Sequence, residues 1–418
     1  MKKYKAIGKI GEGTFSEVIK MQNLKDGSYY ACKQMKQHFE SIEQVNNLRE
    51  IQALRRLNPH PNILTLHEVV FDRKTGSLAL ICELMDMNIY ELIRGRRCPL
   101  PEQKIMNYMY QLCKSLDHMH RNGIFHRDVK PENILIKQDL LKLGDFGSCR
   151  SVYSKQPYTE YISTRWYRAP ECLLTDGYYS YKMDMWSAGC VFYEVMSLQP
   201  LFPGANELDQ ISRIHDIIGT PPQKTLNKFK LSRAMSFDFP FKKGSGISLM
   251  TSTLSPQCLS LIYAMVEYDP DERISAHQAL QHSYFREQRV SEKQALVACR
   301  KVGLTEHLGE AESLKNVWQI SKEGKKYLKQ VEDHSERQGS TCPMEPPRLK
   351  VSGVTKLSSY SSPTLRAVLS GSGTSGKVPI LKPLKYIGTN KKTDTQKDIK
   401  SNMKQYHLPT IERKSGGY

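Results

Sequence analysis

The chain has no run of eighteen apolar residues, so no segment is long enough to read as a membrane-spanning helix. It opens Met1-Lys2-Lys3-Tyr4 and passes straight into strand-like sequence without an apolar signal segment, which argues against secretion. Ten cysteines are scattered along it, with no Cys-x-x-Cys pair and no His/Cys cluster at zinc spacing. Free thiols in a reducing compartment are the expectation. No internal repeat occurs. Acidic residues are in deficit, 43 against 61 basic, for a net charge of +18, and the imbalance is uneven. Residues 286–418 carry 25 Lys and Arg against 13 Asp and Glu, whereas residues 1–285 carry 36 against 30. The basic residues of the C-terminal stretch are dispersed, and aromatics are not interleaved with them in a repeating way. A nucleic-acid module is therefore not expected there; a solvated tail is.

At 418 residues the chain can hold one large or two ordinary domains with a sizeable core. Residues 4–10, 15–21 and 29–35 alternate as strands, the first two separated by Gly11-Glu12-Gly13. Residues 42–57 have helical spacing, with Leu48, Ile51, Leu54 and Leu57 apolar, and Asn58-Pro59-His60-Pro61 ends the run. Strands are predicted again over 64–72 and 78–84, around a turn at Lys74-Thr75-Gly76. From Ile89 the periodicity is mostly helical, as in 105–120 and 183–198. A small β-rich lobe followed by a larger helical lobe is the predicted α+β arrangement. Past Phe285 the composition shifts; 358–364 and 370–376 are Ser- and Gly-rich and too poor in apolar residues to offset ordering entropy. Residues 286–335 keep some helical periodicity.

The most informative stretch is His126-Arg127-Asp128-Val129-Lys130-Pro131-Glu132-Asn133, followed by Asp145-Phe146-Gly147. It supplies one carboxylate to orient an incoming hydroxyl, and an amide and a second carboxylate to hold a metal against phosphates, the groups phosphoryl transfer needs. Near the N-terminus, Gly11-Glu12-Gly13-Thr14-Phe15-Ser16-Glu17-Val18 lies between two strands. Taken alone it is an ordinary β-turn, and Ser16 stands where a third glycine is usual. Lys33, which follows Ala31-Cys32 on the third strand, changes its meaning, because a lysine there calls for an anion. Glu50, on the following helix, is the matching ion-pair partner.

Together with Ala169-Pro170-Glu171, Asp184-Met185-Trp186-Ser187-Ala188-Gly189 and Arg273, these motifs make residues 4–285 resemble a eukaryotic protein kinase. The resemblance implies a bilobal fold, with a small lobe over about 4–85 and a large lobe over about 86–285, and a basic, largely disordered tail from 286 to 418. It implies ATP and Mg2+ as cofactors. By it, Lys33 and Glu50 position the phosphates, Asp128 steers the substrate hydroxyl with Lys130 and Thr164 beside it, and Asn133 and Asp145 hold magnesium. Ile10, Gly11, Glu12, Gly13, Thr14, Phe15, Ser16 and Val18 line the nucleotide, with backbone groups of Glu83 and Met85 meeting adenine and Cys82 at the back of the pocket. Glu171 and Arg273 brace the activation segment, and Asp184 ties down the catalytic loop. Lys130 marks serine/threonine specificity within the family.

The segment from Thr164 to Glu171, with Leu201-Phe202-Pro203-Gly204 and Gly219-Thr220-Pro221, resembles the branch of cyclin-dependent and MAP kinases, and the long tail points to its MAK/MRK-related group. That likeness implies proline-directed substrates and phosphosites at Thr159 and Tyr161, with Arg127, Arg150 and Arg165 available to the phosphate. Their source is an upstream kinase or autophosphorylation. It also implies cytoplasmic, nuclear and ciliary locations, and Glu50 lies outside any cyclin-partner sequence. A kinase-fold scaffold without catalysis is the alternative, although Lys33, Asp128, Asn133 and Asp145 are all intact.

Overall fold

A computed structural model describes residues 3–158, 164–229, 239–247 and 255–301. Its N-terminal lobe is a five-stranded antiparallel sheet in the order β1-β2-β3-β5-β4. The strands are β1 (Tyr4–Glu12), β2 (Ser16–Asn23), β3 (Tyr29–Met35), β4 (Leu66–Asp72) and β5 (Ser77–Glu83). Register sets Lys33 opposite Val18 on one side and Leu80 on the other, and Ala31 opposite Cys82, so these residues share one face of the sheet. The other face buries Met21, Cys32, Ala79 and Ile81 in a separate small cluster beneath Tyr4 and Tyr30.

The single helix predicted over 42–57 is two helices, α1 (Ile42–Asn46) and α2 (Arg49–Leu57). The break follows from Asn46 and Asn47, poor interior helix residues whose side chains compete for backbone groups. Leu48 takes an extended conformation between them. This restart places Glu50 in the first turn of α2, while Ile51, Leu54 and Leu57 face the core.

The larger lobe begins with β6 (Met87–Asn88), α3 (Ile89–Ile93) and the long α4 (Glu102–Arg121). Ile105, Met109, Leu112, Leu116 and Met119 form the buried stripe of α4 at helical spacing. Short strands β7 (Ile124–Phe125), β8 (Ile134–Lys137), β9 (Leu140–Leu143) and β10 (Arg150–Ser151) then frame the catalytic loop. The rest is helical: α5 (Pro170–Leu174), α6 (Lys182–Ser197), α7 (Glu207–Ile218), α8 (Gln223–Lys228), α9 (Pro256–Met265), α10 (Ala276–Gln281) and α11 (Arg286–Lys301). Helix α6 is buried along nearly its whole length, as an axis through the lobe must be. A Cβ on Gly189 would fall 2.7 Å from Val266 Cγ1 and 2.9 Å from Met265 Cβ, so glycine is what lets α9 approach.

The basic tail expected from residue 286 opens with a docked helix. On α11, Glu292 accepts hydrogen bonds from Tyr110 Oη (2.7 Å) and Lys114 Nζ (2.5 Å), and Arg289 Nη1 donates to the carbonyls of Leu280 and His282, both at 2.7 Å. The remainder of that tail, 302–418, lies outside the described residues.

Candidate active site

Asp184, wholly buried on α6, anchors the loop between β7 and β8. Its carboxylate accepts the N–H groups of His126 and Arg127, each at 2.8 Å, and lies 2.9 Å from His120 Nε2. Burial opposes its charge, but these contacts hold the carboxyl below the usual range. Arg127 adopts a left-handed backbone conformation (φ 70°), strained for a residue with a side chain, and the two bonds to Asp184 hold the loop in that path. Asp128 follows directly, with its side chain mostly buried. Its Oδ2 receives Lys130 Nζ at 2.9 Å and Asn133 Nδ2 at 3.0 Å. Its Oδ1 is buried with no partner. An acceptor left bare in this way is costly unless something arrives to use it.

The second cluster joins the lobes. Lys33 Nζ donates to Glu50 at 2.6 and 2.8 Å and to Asp145 Oδ1 at 2.9 Å. Burial works against the Lys33 charge, yet the Glu50 and Asp145 carboxylates outweigh it and raise the pKa above the ordinary lysine value. Asp145 is the other strained residue here (φ 56°), and its neighbour Phe146 is fully buried edge-on to His126, with ring centres 5.4 Å apart. Lys130 is near enough to Asp145 to favour its charge, so the two clusters adjoin.

Asn133 and Asp145 fit magnesium. Both offer oxygen ligands, and the amide of Asn133 is oriented by donating Nδ2 to the carbonyl and the carboxylate of Asp128, at 2.8 and 3.0 Å. That leaves Oδ1 as its ligating atom. Two protein ligands suit an ion that keeps waters and takes phosphate oxygens for the rest of its shell. Among the described residues no cluster of three or more His, Cys, Asp or Glu forms a dedicated metal cage.

Of the glycine-rich segment, Gly11 pairs with Val18 across a bulged β1–β2 ladder, and Gly13 N donates to Ser16 O at 2.8 Å to close the turn. Ser16 is buried, while Ile10, Thr14 and Phe15 are exposed, Phe15 at the tip. The carboxylate of Glu12 is engaged by Lys36 (2.8 Å) and Lys9 (2.5 Å), whose hydrogen bonds hold it down to about 2. Glu83 closes β5; its Oε1 accepts Lys142 Nζ and the Thr65 N–H, both at 2.7 Å, fixing the connector to β9. Met85 is half-buried two residues on. Cys82 lies on the cleft face, its thiol pushed up to about 12 by burial and thus neutral at physiological pH.

Some residues that matter here were not foreseen in the motifs. Arg49, directly before Glu50, has its pKa lowered by burial and by the nearby charges of Arg150 and Arg127. The three guanidinium groups form a cationic cluster, with Arg127 donating to Ser148 O (2.6 Å) and Tyr179 Oη (2.9 Å) and the buried Nε of Arg150 unpartnered. Neighbouring positions on a helix point about 100° apart, so a Glu50 aimed at Lys33 sends Arg49 elsewhere; that was the available signal. Arg165 instead donates to Ala205 O at 3.1 Å, beside α7. Thr159, Glu160 and Tyr161 lie outside the described residues. Glu171 and Arg273 form a fully buried bidentate pair at 2.6 and 2.9 Å, with the Arg273 guanidinium 5.1 Å over the Trp186 ring.

Glu194, buried on α6, accepts the Tyr167 hydroxyl at 2.7 Å. Burial pushes its carboxyl up to about 7, against the pull of that hydrogen bond. A carboxyl raised on folding binds its proton more tightly in the native state. Its contribution is therefore complete below the unfolded value of 4.5 and is lost as pH rises through about 7. Glu194→Gln should flatten the decline of stability between those limits, by roughly 3 kcal/mol at the alkaline end. Urea unfolding at pH 5 and pH 8 checks this; parallel decline in both proteins refutes it.

The protein kinase domain family matches residues 4–285. Over 419 residues, covering all of both chains, the sequence is 78% identical to the MAPK/MAK/MRK overlapping kinase of Homo sapiens. To the protein of the same name from Mus musculus it is 76% identical over 421 residues, again covering both chains. Identity to the serine/threonine-protein kinase MAK of Homo sapiens is 39% over 288 residues, 68% of this chain and 46% of that one.

Proposed function

This chain belongs to the protein kinase domain family, and from that premise we propose that it phosphorylates serines and threonines followed by proline, under control of phosphate within Thr159-Glu160-Tyr161. It is a serine/threonine kinase of the MAK-, ICK- and cyclin-dependent-kinase-like group, using ATP and Mg2+. The unpartnered Oδ1 of Asp128 is the observation that carries the reading: a buried acceptor, with its twin oxygen already occupied, suits a substrate hydroxyl. Lys130 is then beside the phosphoryl group, and Lys33, fixed by Glu50, is placed for the α- and β-phosphates. Glu83 and Met85 serve adenine, and Ile10, Gly11, Glu12, Gly13, Thr14, Phe15, Ser16 and Val18 cover the nucleotide. Magnesium, when held by Asn133 and Asp145, supplies charge neutralisation on the phosphates.

Proline selection is supported by the wall formed by Trp166, Tyr167 and Arg168. A pocket that offers no acceptor to the residue after the phosphoacceptor leaves an ordinary amide unsatisfied, whereas proline has none to satisfy. By likeness to its branch, Arg168 occupies the carbonyl that would otherwise accept that amide. A degenerate peptide library is expected to show proline enriched immediately after the phosphorylated residue. No enrichment would sink the reading.

Control by phosphate is supported by the cluster of Arg49, Arg127 and Arg150. A phosphate brings nearly two negative charges and several acceptor oxygens to cations with few anionic partners. Because Arg127 adjoins Asp128, such a contact couples the segment to the catalytic base. Turnover of the wild type on one peptide should exceed that of Thr159→Ala, Tyr161→Phe and phosphatase-treated protein. Equal rates in all four samples defeat it. The phosphate comes from an upstream kinase or from autophosphorylation, which a kinase-dead variant separates. Cytoplasmic, nuclear and ciliary residence belongs to the same proposal, and imaging of the tagged full chain tests it.

A further inference from the structure

We infer that Lys36, the first residue past β3, is a positioning residue that holds the glycine-rich turn in place for the phosphates of the nucleotide. The inference rests on the reading above in which residues 10–18 cover that nucleotide. Lys36 grips the turn at three points. Its Nζ donates to Glu12 Oε1 at 2.8 Å and to Gly13 O at 3.0 Å, and its backbone N–H donates to Phe15 O at 2.9 Å. Glu12, Gly13 and Phe15 are thus all fastened to one residue. The strand that carries Lys33 into the cleft also supplies, three residues on, the clasp for the turn.

Within the turn, Gly13 N donates to Ser16 O at 2.8 Å, and Ser16 is buried and pairs with Met35 across the β2–β3 ladder. One end of the turn therefore lies beside the residue before Lys36, and the lysine reaches the tip without any movement of its strand. Gly13 shows what the turn is kept open for. Its φ lies outside the left-handed region, and a Cβ there would sit 3.7 Å from Ser16 O, an ordinary contact. Neither the backbone nor the packing of this chain requires glycine at 13, so the missing side chain leaves room for a group from outside.

Glu12 gives the clasp an electrostatic meaning. A carboxylate in a segment that meets phosphates repels them unless its own charge is answered. Lys36 answers it at Oε1 and Lys9 at Oε2, the latter at 2.5 Å. The Lys36 and Glu12 side chains are 43% and 54% exposed, so their pairing contributes little to the fold. Its effect falls on the ligand. Without Lys36 the turn loses its tie at Gly13 O and presents a less balanced Glu12 to the phosphates. Adenosine, which has no phosphate, senses neither change.

The test measures dissociation constants of the full chain for ATP with magnesium and for adenosine, in the wild type, Lys36→Met, Lys36→Arg and Gly13→Val. Lys36→Met is expected to weaken ATP binding about fivefold and leave adenosine binding unchanged, with most of the loss recovered in Lys36→Arg. In a Glu12→Gln background the cost of Lys36→Met should shrink, because the repelling charge is gone; an undiminished cost counts against the inference. A merely structural Lys36 moves both ligands together or neither, which overturns it. Gly13→Val, which puts a branched side chain where phosphates would pass, tests the reading beneath. If that change leaves ATP binding unmoved, the turn does not meet the phosphates and the reading has failed first. Selective weakening of ATP by Gly13→Val, with ATP affinity intact in Lys36→Met, condemns the inference alone.

Discussion

Asp128→Asn lowers turnover by on the order of three decades or more while leaving the fold in place. The asparagine preserves size and still accepts from Lys130 and Asn133 through one oxygen, so the loop pinned by Asp184 keeps its shape. What it loses is the buried Oδ1 acceptor, replaced by an N–H2 group that presents a donor to the incoming hydroxyl. Lys33→Met and Asp145→Ala should abolish transfer as well, by different routes. The first removes the cation that Glu50 and Asp145 surround, and the second removes a metal ligand and the Lys33 contact at 2.9 Å. Single-turnover rates with saturating ATP and magnesium, read beside thermal melts, check all three. Wild-type-like transfer by Asp145→Ala would falsify its metal role.

The second large effect concerns stability. Glu171→Gln should destabilise the protein by roughly 3–5 kcal/mol, because Arg273 remains 0% exposed with its charge unanswered. Arg273 cannot shed its proton to escape. Its other contacts, the carbonyls of Glu267 (2.8 Å), Lys182 (3.0 Å) and Tyr268 (3.3 Å) and the face of the Trp186 ring, stabilise the cation but carry no full negative charge. Replacing both partners, as Glu171→Gln with Arg273→Met, should cost less than the single change, since no buried ion is then left alone. Denaturant titrations of the three variants decide the matter; a double variant no better than Glu171→Gln refutes the uncompensated-charge account. Loss of the pair also frees the start of α5, so catalytic activity should decline at temperatures where the fold persists.

The grouping of the candidate catalytic residues was legible in the sequence because phosphoryl transfer demands side chains of fixed type at short, fixed separations. Asp128, Lys130 and Asn133 sit in one loop, and their spacing already confines them to one another's reach. The β-rich lobe was legible too, since alternation over β2, β3 and β5 leaves one face for the cleft. The boundary inside residues 42–57 was harder. The apolar spacing continues across Asn46-Asn47, and only the local chemistry of asparagine interrupts the helix.

Contacts between distant segments were beyond local pattern. Arg127 and Arg150 were already paired by the family resemblance, but nothing in the immediate sequence of Arg49, on a helix far from both, announces that it joins them. The same holds for Glu207 and Arg168, separated by 39 residues, and for Glu292, which reaches back to Tyr110 and Lys114 across more than 170. By itself the sequence supplied the candidate groups: which acids, which amide, which lysines, and the loop, strand or helix on which each stands. Tertiary structure alone decided which charges are buried and which partner answers each one. Those depend on how the sheet, α2 and α6 close around the loop, because the energy of an ion is set by its surroundings in space and not by its neighbours along the chain.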